Sequence, residues 1–193
     1  MPRHKEFDRE EVVLKAMMVF WNKGYEASSM QDLVDRMKIN RFSLYETFKS
    51  KHELFLEALQ AYYENVAIPF FHRLKDSTEG LKAIESILME LVSRIKSGQS
   101  SNGCLMCNTI AELGARKDKR TTIILEKSLK AIEGCFYEAL SRARQLGEVS
   151  KSVNASEYAK VLVGYTTGLL IVAKVLSEKE LRKSVKATIA AIK

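Results

Sequence analysis

Helix punctuation constrains this chain more than any other feature of its sequence. Asp8 with Glu11, Ser29 with Asp32, Ser50 with Glu53, Asp76 with Glu79, Asn154 with Glu157 and Ser177 with Glu180 each pair a short polar residue with an acid three positions on. That spacing lets the first side chain accept from unpaired N–H groups of a helix start while the acid reaches back to the cap. Apolar residues at three- and four-residue intervals follow each pair. Only two prolines and nine glycines interrupt 193 residues, and Gly24, Gly98, Gly114 and Gly147 fall where periodic runs stop. The expectation is an all-α fold of nine helices, over about 8–24, 29–36, 40–46, 51–72, 79–97, 103–113, 117–146, 154–175 and 178–192. Pro69 lies inside the fourth and predicts a kink or break there.

The first three helices make a unit. Val13, Ala16 and Phe20 form one stripe, Leu33, Met37 and Ile39 can meet it, and Leu44 and Phe48 close a small core. The third helix, capped by Asn40, is too short to stand alone. It leaves Arg41, Phe42, Ser43 and Tyr45 off the core or at its edge. Two short helices joined by a tight turn, the second showing polar and aromatic groups, make a helix-turn-helix whose exposed face suits a DNA groove. Residues 1–50 are therefore expected to be a DNA-binding domain, and residues 51–193 a second helical domain. The net charge of +7 is compatible with a polyanionic partner, but residues 1–52 hold ten Lys/Arg against eight Asp/Glu. A DNA site must rest on local placement rather than on a basic tail.

Residues 12–55 resemble the DNA-binding domain of the TetR family of bacterial transcriptional regulators. The pattern is Ala16, Phe20, Gly24-Tyr25, Ser28-Ser29-Met30, Leu33, Ile39, Ser43-Leu44-Tyr45, Phe48, Ser50-Lys51 and Leu54. The resemblance implies that the helix at 40–46 is the recognition helix, with Arg41, Ser43 and Tyr45 at positions that commonly touch DNA. It implies phosphate contacts from Ser28 and Ser29 at the start of the second helix and from Lys51 at the start of the fourth. Helix N-termini suit that role, because their free N–H groups attract phosphate. Arg3 and Lys5 could add a basic arm. The chain departs from the family pattern at three positions. Lys38 stands where a turn glycine is usual, so a left-handed backbone there would cost roughly 1 kcal/mol. Phe42 replaces a small residue and has two places to go, against a thymine methyl or over the domain's own core. Glu46 would repel a phosphate.

The same resemblance implies a homodimer built on the last two helices, and an effector pocket between. Tyr158, Leu162, Tyr165, Leu169, Val172 and Leu176 repeat at alternating steps of three and four. Gly164 and Gly168 could let two helices approach closely, and Leu181, Val185, Ile189 and Ile192 stripe the final helix. The candidate interface is Tyr158, Leu162, Gly164, Gly168, Leu169, Val172 and Ile189, with an intrachain core as the other reading of the same stripe. A dimer would set two recognition helices about one DNA turn apart, roughly 34–36 Å, on a palindromic operator. Tyr62, Phe70, Phe71, His72, Met89, Met106, Phe136, Tyr137 and Tyr165 are pocket candidates, though periodicity cannot separate pocket lining from packing.

"NGCLMCNTIAEL", residues 102–113, is the sharper feature. Cys104 and Cys107 form a C-x-x-C on the first turns of a helix, where peptide N–H groups favour a thiolate. The segment resembles the corresponding one of electrophile-sensing TetR-type repressors, and that implies Cys104 as the sensing thiol. Sulfenic acid, an adduct, or a disulfide with Cys107 or Cys135 are the available products. Plain packing is the alternative for all three cysteines.

Other function classes fare worse. The charged start "MPRHKEFDREE" has no apolar signal region, and the longest uncharged run, thirteen residues between Lys160 and Lys174, is too short to span a bilayer. Three cysteines without a signal suggest reduced thiols in a cytoplasm. No cofactor or metal is expected, since one C-x-x-C with three scattered histidines makes a poor ligand set. A thiol-disulfide oxidoreductase using Cys104 and Cys107 would need βαβ patterning that the chain lacks. A helical interaction protein without DNA binding is the third reading. The leading expectation is a repressor, not an enzyme, whose partners are duplex operator DNA, a small-molecule or electrophile effector and a second copy of itself.

Overall fold

The structure, a computed structural model, describes residues 7–98, 102–114 and 118–193. Arg3 and Lys5 lie outside the described residues. The helices are α1 (Arg9–Lys23), α2 (Met30–Met37), α3 (Arg41–Phe48), α4 (Lys51–Tyr62), α5 (Ile68–Asp76), α6 (Leu81–Lys96), α7 (Leu105–Leu113), α8 (Lys119–Gln145), α9 (Ala155–Val172) and α10 (Glu178–Ala190), with a π-helical turn at Tyr63–Ala67. No strand occurs among the described residues. α4, the π turn and α5 run on as one rod, so the nine expected helices are present and the fourth continues to Asp76.

The π turn is the form that the expected Pro69 irregularity takes. Proline has no N–H to give, and its ring crowds the carbonyl four residues back. A widened turn relieves that crowding: the N–H of Ile68 reaches Tyr63 O, five residues away, and the Asn65 amide donates to Ala61 O at 2.9 Å.

Most expected caps form. Asp8, Asn40, Ser50 and Asn154 accept from the first N–H groups of their helices, and Ser29–Asp32 and Ser177–Glu180 are complete capping boxes. Asp76 with Glu79 does not form one. α6 starts at Leu81, and its N–H is taken instead by Glu148 Oε2 at 2.7 Å, from the far side of α8. There Gly80 lies against Ala143, where a Cβ would come within 2.5 Å of the Ala143 Cα.

α1, α2 and α3 close over Phe20, Leu33, Leu44 and Phe48, all essentially without exposure, and α4 seals that core from below with Phe55 edge-on to Phe20 at 5.1 Å. Lys38, in the turn between α2 and α3, takes the left-handed backbone expected of it, with φ 60°. α4 then enters the second half, where α5, α6, α8, α9 and α10 pack around Phe71, Phe136, Leu88 and Leu162.

Candidate functional site

One face of α3 is committed to the core through Leu44 and Phe48. The other presents Arg41, Tyr45 and Glu46 to solvent, with Ser43 half-buried. Phe42 is 72% exposed, so of its two possible places the cover over the core is excluded. An exposed phenyl at the N-terminal turn of such a helix costs solvation unless something apolar covers it.

Of the two phosphate contacts expected at α2, the one from Ser28 needs correction. Ser28 is buried, and its hydroxyl donates to Gly24 O at 2.5 Å, which closes the turn after α1. It has no hydroxyl to offer. Ser29 is exposed, but its Oγ accepts from Asp32 N at 3.0 Å and donates to Asp32 Oδ2 at 2.8 Å. Hydrogen bonding from Lys23 and from Ser29 holds the Asp32 carboxyl far below the usual range. The chain's own carboxylate thus sits beside Ser29 at the head of α2. Lys51 is half-buried, its Nζ 4.6 Å from the centre of the Tyr25 ring and 3.5 Å from Glu26 O.

Further down, the π turn, α6, α7, α8 and α9 enclose a largely apolar cavity of about 80 Å³. Tyr62, Phe70, Phe71 and Met106 line it as expected, together with Cys104, Cys107, Arg94 and Thr167. His72 is exposed on α5 and Met89 meets Arg182 Nη1 at 3.6 Å, so neither lines it, and three expected aromatic residues do not either. Phe136 is wholly buried behind Phe71, ring to ring at 5.6 Å; Tyr137 points outward from α8; Tyr165 hydrogen-bonds Ser184 at 2.9 Å on the α9–α10 seam. All three are aromatic residues on the right helices but on the wrong faces.

Cys104 is the N-cap of α7 and half-buried. Hydrogen bonding from the Cys107 thiol, with the N–H groups of Cys107 and Met106 and the Tyr62 hydroxyl, outweighs burial and lowers its pKa to about 6. Cys107 is pushed up, first by that bond to Cys104 and then by burial. Tyr62 is raised by burial and by the neighbouring thiolate, so it remains a proton donor. One thiolate with two donors is the arrangement of an activated nucleophile. Cys135 is apart from it, buried on α8 with its thiol against Ala131 O at 3.3 Å, and burial raises its pKa.

α7 is fastened to α1 and the loop after it at both ends. Before it, the Trp21 indole donates to Gly103 O at 2.9 Å and the Asn102 amide to Asn22 Oδ1 at 2.7 Å. Near its end, Glu112 accepts from the backbone N–H groups of Tyr25, at 2.9 Å, and Glu26, at 3.1 Å, in the loop between α1 and α2. A second tie joins the heads of α4 and α8: Arg120 grips Glu53 with two hydrogen bonds, and His52 meets Asp118 at 2.9 Å. Trp21, Glu112 and Arg94 escape the sequence reading, because their partners lie far away in sequence and no spacing marks them.

The expected interface residues also divide. Leu162, Leu169 and Ile189 belong to the chain's own core, and Tyr158 is half-buried. The open face of α9 carries Val161, Gly164, Ile171, Val172 and, just beyond the helix, Val175, with Gly168 half-buried along it. Apart from the adjoining backbone of α9 itself, no described atom lies within 4 Å of where a Cβ would stand at Gly164 or Gly168. No helix among the described residues is long and apolar enough to cross a membrane.

Comparison with known proteins agrees over both halves. Residues 13–58 match the family described as bacterial regulatory proteins, tetR family, and residues 80–189 match the tetracyclin repressor-like C-terminal domain. The HTH-type transcriptional regulator YezE of Bacillus subtilis (strain 168) is 32% identical over 93% of both chains. The HTH-type transcriptional repressor ComR of Escherichia coli (strain K12) is 29% identical over 89% of this chain and 82% of its own. Among solved structures, a cysteine mutant of the TetR family transcriptional regulator CifR, complexed with 26-base-pair operator DNA, superposes with a TM-score of 0.78 at 26% identity, covering 99% of this chain and 100% of that one.

Proposed function

The chain belongs to the TetR family of bacterial transcriptional regulators, and from that premise we propose a homodimeric repressor that leaves its operator when Cys104 is alkylated or oxidised. Residues 1–50 read DNA and residues 51–193 sense and dimerise. Arg41, Phe42, Ser43 and Tyr45 enter the major groove, with Phe42 against a thymine methyl and Arg41 within reach of a guanine edge. Lys51 steers toward the phosphate backbone. The open face of α9, with its two glycines, meets the same face of a second copy. A bacterial protein that reads duplex DNA works in the cytoplasm, and that is the compartment this reading gives it.

The single observation behind thiol control is the position of Cys104. Its thiolate stands in a cavity wall at the head of α7, and α7 is tied at both ends to the segment that carries α2 and α3. An adduct in about 80 Å³ has too little room beside the existing lining, since sites for drug-sized ligands enclose roughly 300–1,000 Å³. α7 must shift, and its ties carry the shift to the reading head. The modified state then favours a conformer whose two recognition helices no longer match the half-sites.

The DNA-reading part is tested by selecting duplexes from genomic fragments and titrating the best by anisotropy. A palindromic site binding two chains, with log K falling linearly against log salt, is the expected outcome. Phe42→Ala and Arg41→Ala should weaken it while leaving thermal unfolding within about 0.5 kcal/mol. Failure to prefer any duplex over random DNA would overturn it.

A further inference from the structure

Among the described residues, the cavity beside Cys104 has one basic side chain in its lining. Arg94 stands on α6, its guanidinium 4.7 Å from the centre of the Phe70 ring, which also lines the space. Its Nε and Nη2 both go to Glu90 Oε1, at 3.0 and 2.8 Å. The other oxygen of Glu90 is held by Arg73 at 2.7 Å. One carboxylate therefore serves two guanidiniums, and the cluster keeps an excess positive charge at the cavity. Burial pushes the Glu90 carboxyl up, but the hydrogen bonds from Arg73 and Arg94 win and keep it below its ordinary value, so it is ionised and does not cancel both arginines. Among the described residues nothing hydrogen-bonds to Arg94 Nη1. The rest of the wall is mostly apolar, with Val66, Leu91, Ile110, Leu129 and Leu170, and the hydroxyls of Thr166 and Thr167 in it donate to carbonyls of their own helix.

Building on the thiol-control reading above, we propose that the effector class is a compact apolar electrophile with an anionic end, the alkene or other reactive carbon placed at Cys104 and the anion read by Arg94. A neutral apolar molecule would leave Nη1 without an acceptor, whereas a carboxylate can accept from it in a charge-assisted hydrogen bond. Glu90 and Phe70 hold the guanidinium in place before anything binds, so little side-chain entropy is lost. For a conjugated carbonyl the step balances within the site. The Cys104 thiolate forms an S–C bond to the β-carbon, the C=C π pair moves toward the carbonyl, and the α-carbon takes a proton from the Cys107 thiol or from water.

The test compares N-ethylmaleimide with N-(2-carboxyethyl)maleimide on the full-length chain, at the same pH. The two share the reacting ring and differ in the charge of the tail. The rate of adduct formation at Cys104, followed by mass spectrometry of its peptide, is divided by the rate of the same reagent with a neutral free thiol. Wild type should favour the carboxylate by about five- to tenfold, the range for a charge-assisted contact at a partly exposed guanidinium. Arg94→Met should abolish the preference and Arg94→Lys should keep part of it. Equal normalised rates in wild type, or a preference that survives in Arg94→Met, would overturn the assignment while leaving Cys104 a sensor. If neither reagent modifies Cys104, the thiol-control reading fails and the inference falls with it.

Discussion

Glu112→Gln separates coupling from sensing, because Glu112 touches the loop after α1 and lies outside the cavity lining. Its carboxylate accepts two backbone N–H groups, from Tyr25 at 2.9 Å and from Glu26 at 3.1 Å. Hydrogen bonds to a charged acceptor contribute about 1.5–3 kcal/mol each when shielded from water. Here the acceptor is half-buried, and glutamine keeps one carbonyl oxygen but turns an NH₂ toward the other donor. A net loss of about 1–2 kcal/mol is expected, or a fall in Tm of about 2–8 °C for a chain of this size. If the tie transmits the state of α7, the same 1–2 kcal/mol comes off the coupling between Cys104 and DNA, about five- to thirtyfold. The assay is operator anisotropy for wild type and variant, each before and after complete alkylation of Cys104, with thermal unfolding alongside. Alkylation should weaken wild type far more than the variant. A folded Glu112→Gln protein that loses the same factor on alkylation as wild type would refute transmission through this contact.

Three further outcomes follow from the same geometry. The alkylation rate of Cys104 should rise with pH to half its plateau at about pH 6, and Tyr62→Phe, which removes one donor to the thiolate, should move that midpoint upward. The sign for stability follows: a thiol pKa below its unfolded value stabilises the fold fully above the unfolded pKa, and that contribution disappears as pH falls through about 6. Gly24→Ala should destabilise by about 1–3 kcal/mol in denaturant unfolding, because φ is +82° with ψ 173° there and the added Cβ would meet Glu112 Oε1 at 2.7 Å. Gly164→Glu has open space around it in one chain, so helix content should persist while sedimentation shifts from dimer to monomer.

What the sequence disclosed divides along the range of the interactions. Caps act over three residues, so Ser29–Asp32, Asn40 and Ser177–Glu180 were legible, as was the left-handed Lys38. Asp76–Glu79 misled because the donor at the head of α6 is satisfied by Glu148, 67 residues away from Leu81. On α9, apolar residues occur all round the helix. Leu162 and Leu169 face the core while Val161 and Ile171 face outward, and periodicity alone cannot choose between two apolar faces. Cys104 was visible from its C-x-x-C at a helix start. Its second donor, Tyr62, and the ties through Trp21 and Glu112 come from tertiary contacts that no local pattern announces. Ser28 was put forward by the family pattern, yet one step along the chain from Ser29 its hydroxyl turns inward to Gly24.

Thiol control is tested most directly by anisotropy of a labelled operator titrated with reduced protein, then with a thiol-selective oxidant, then with excess dithiol. Tight, salt-sensitive binding that oxidation abolishes and reduction restores is expected, with Cys104→Ser binding throughout. Binding that stays tight while mass spectrometry shows Cys104 fully modified would contradict it, as would a Cys104→Ser protein released by the oxidant as readily as wild type.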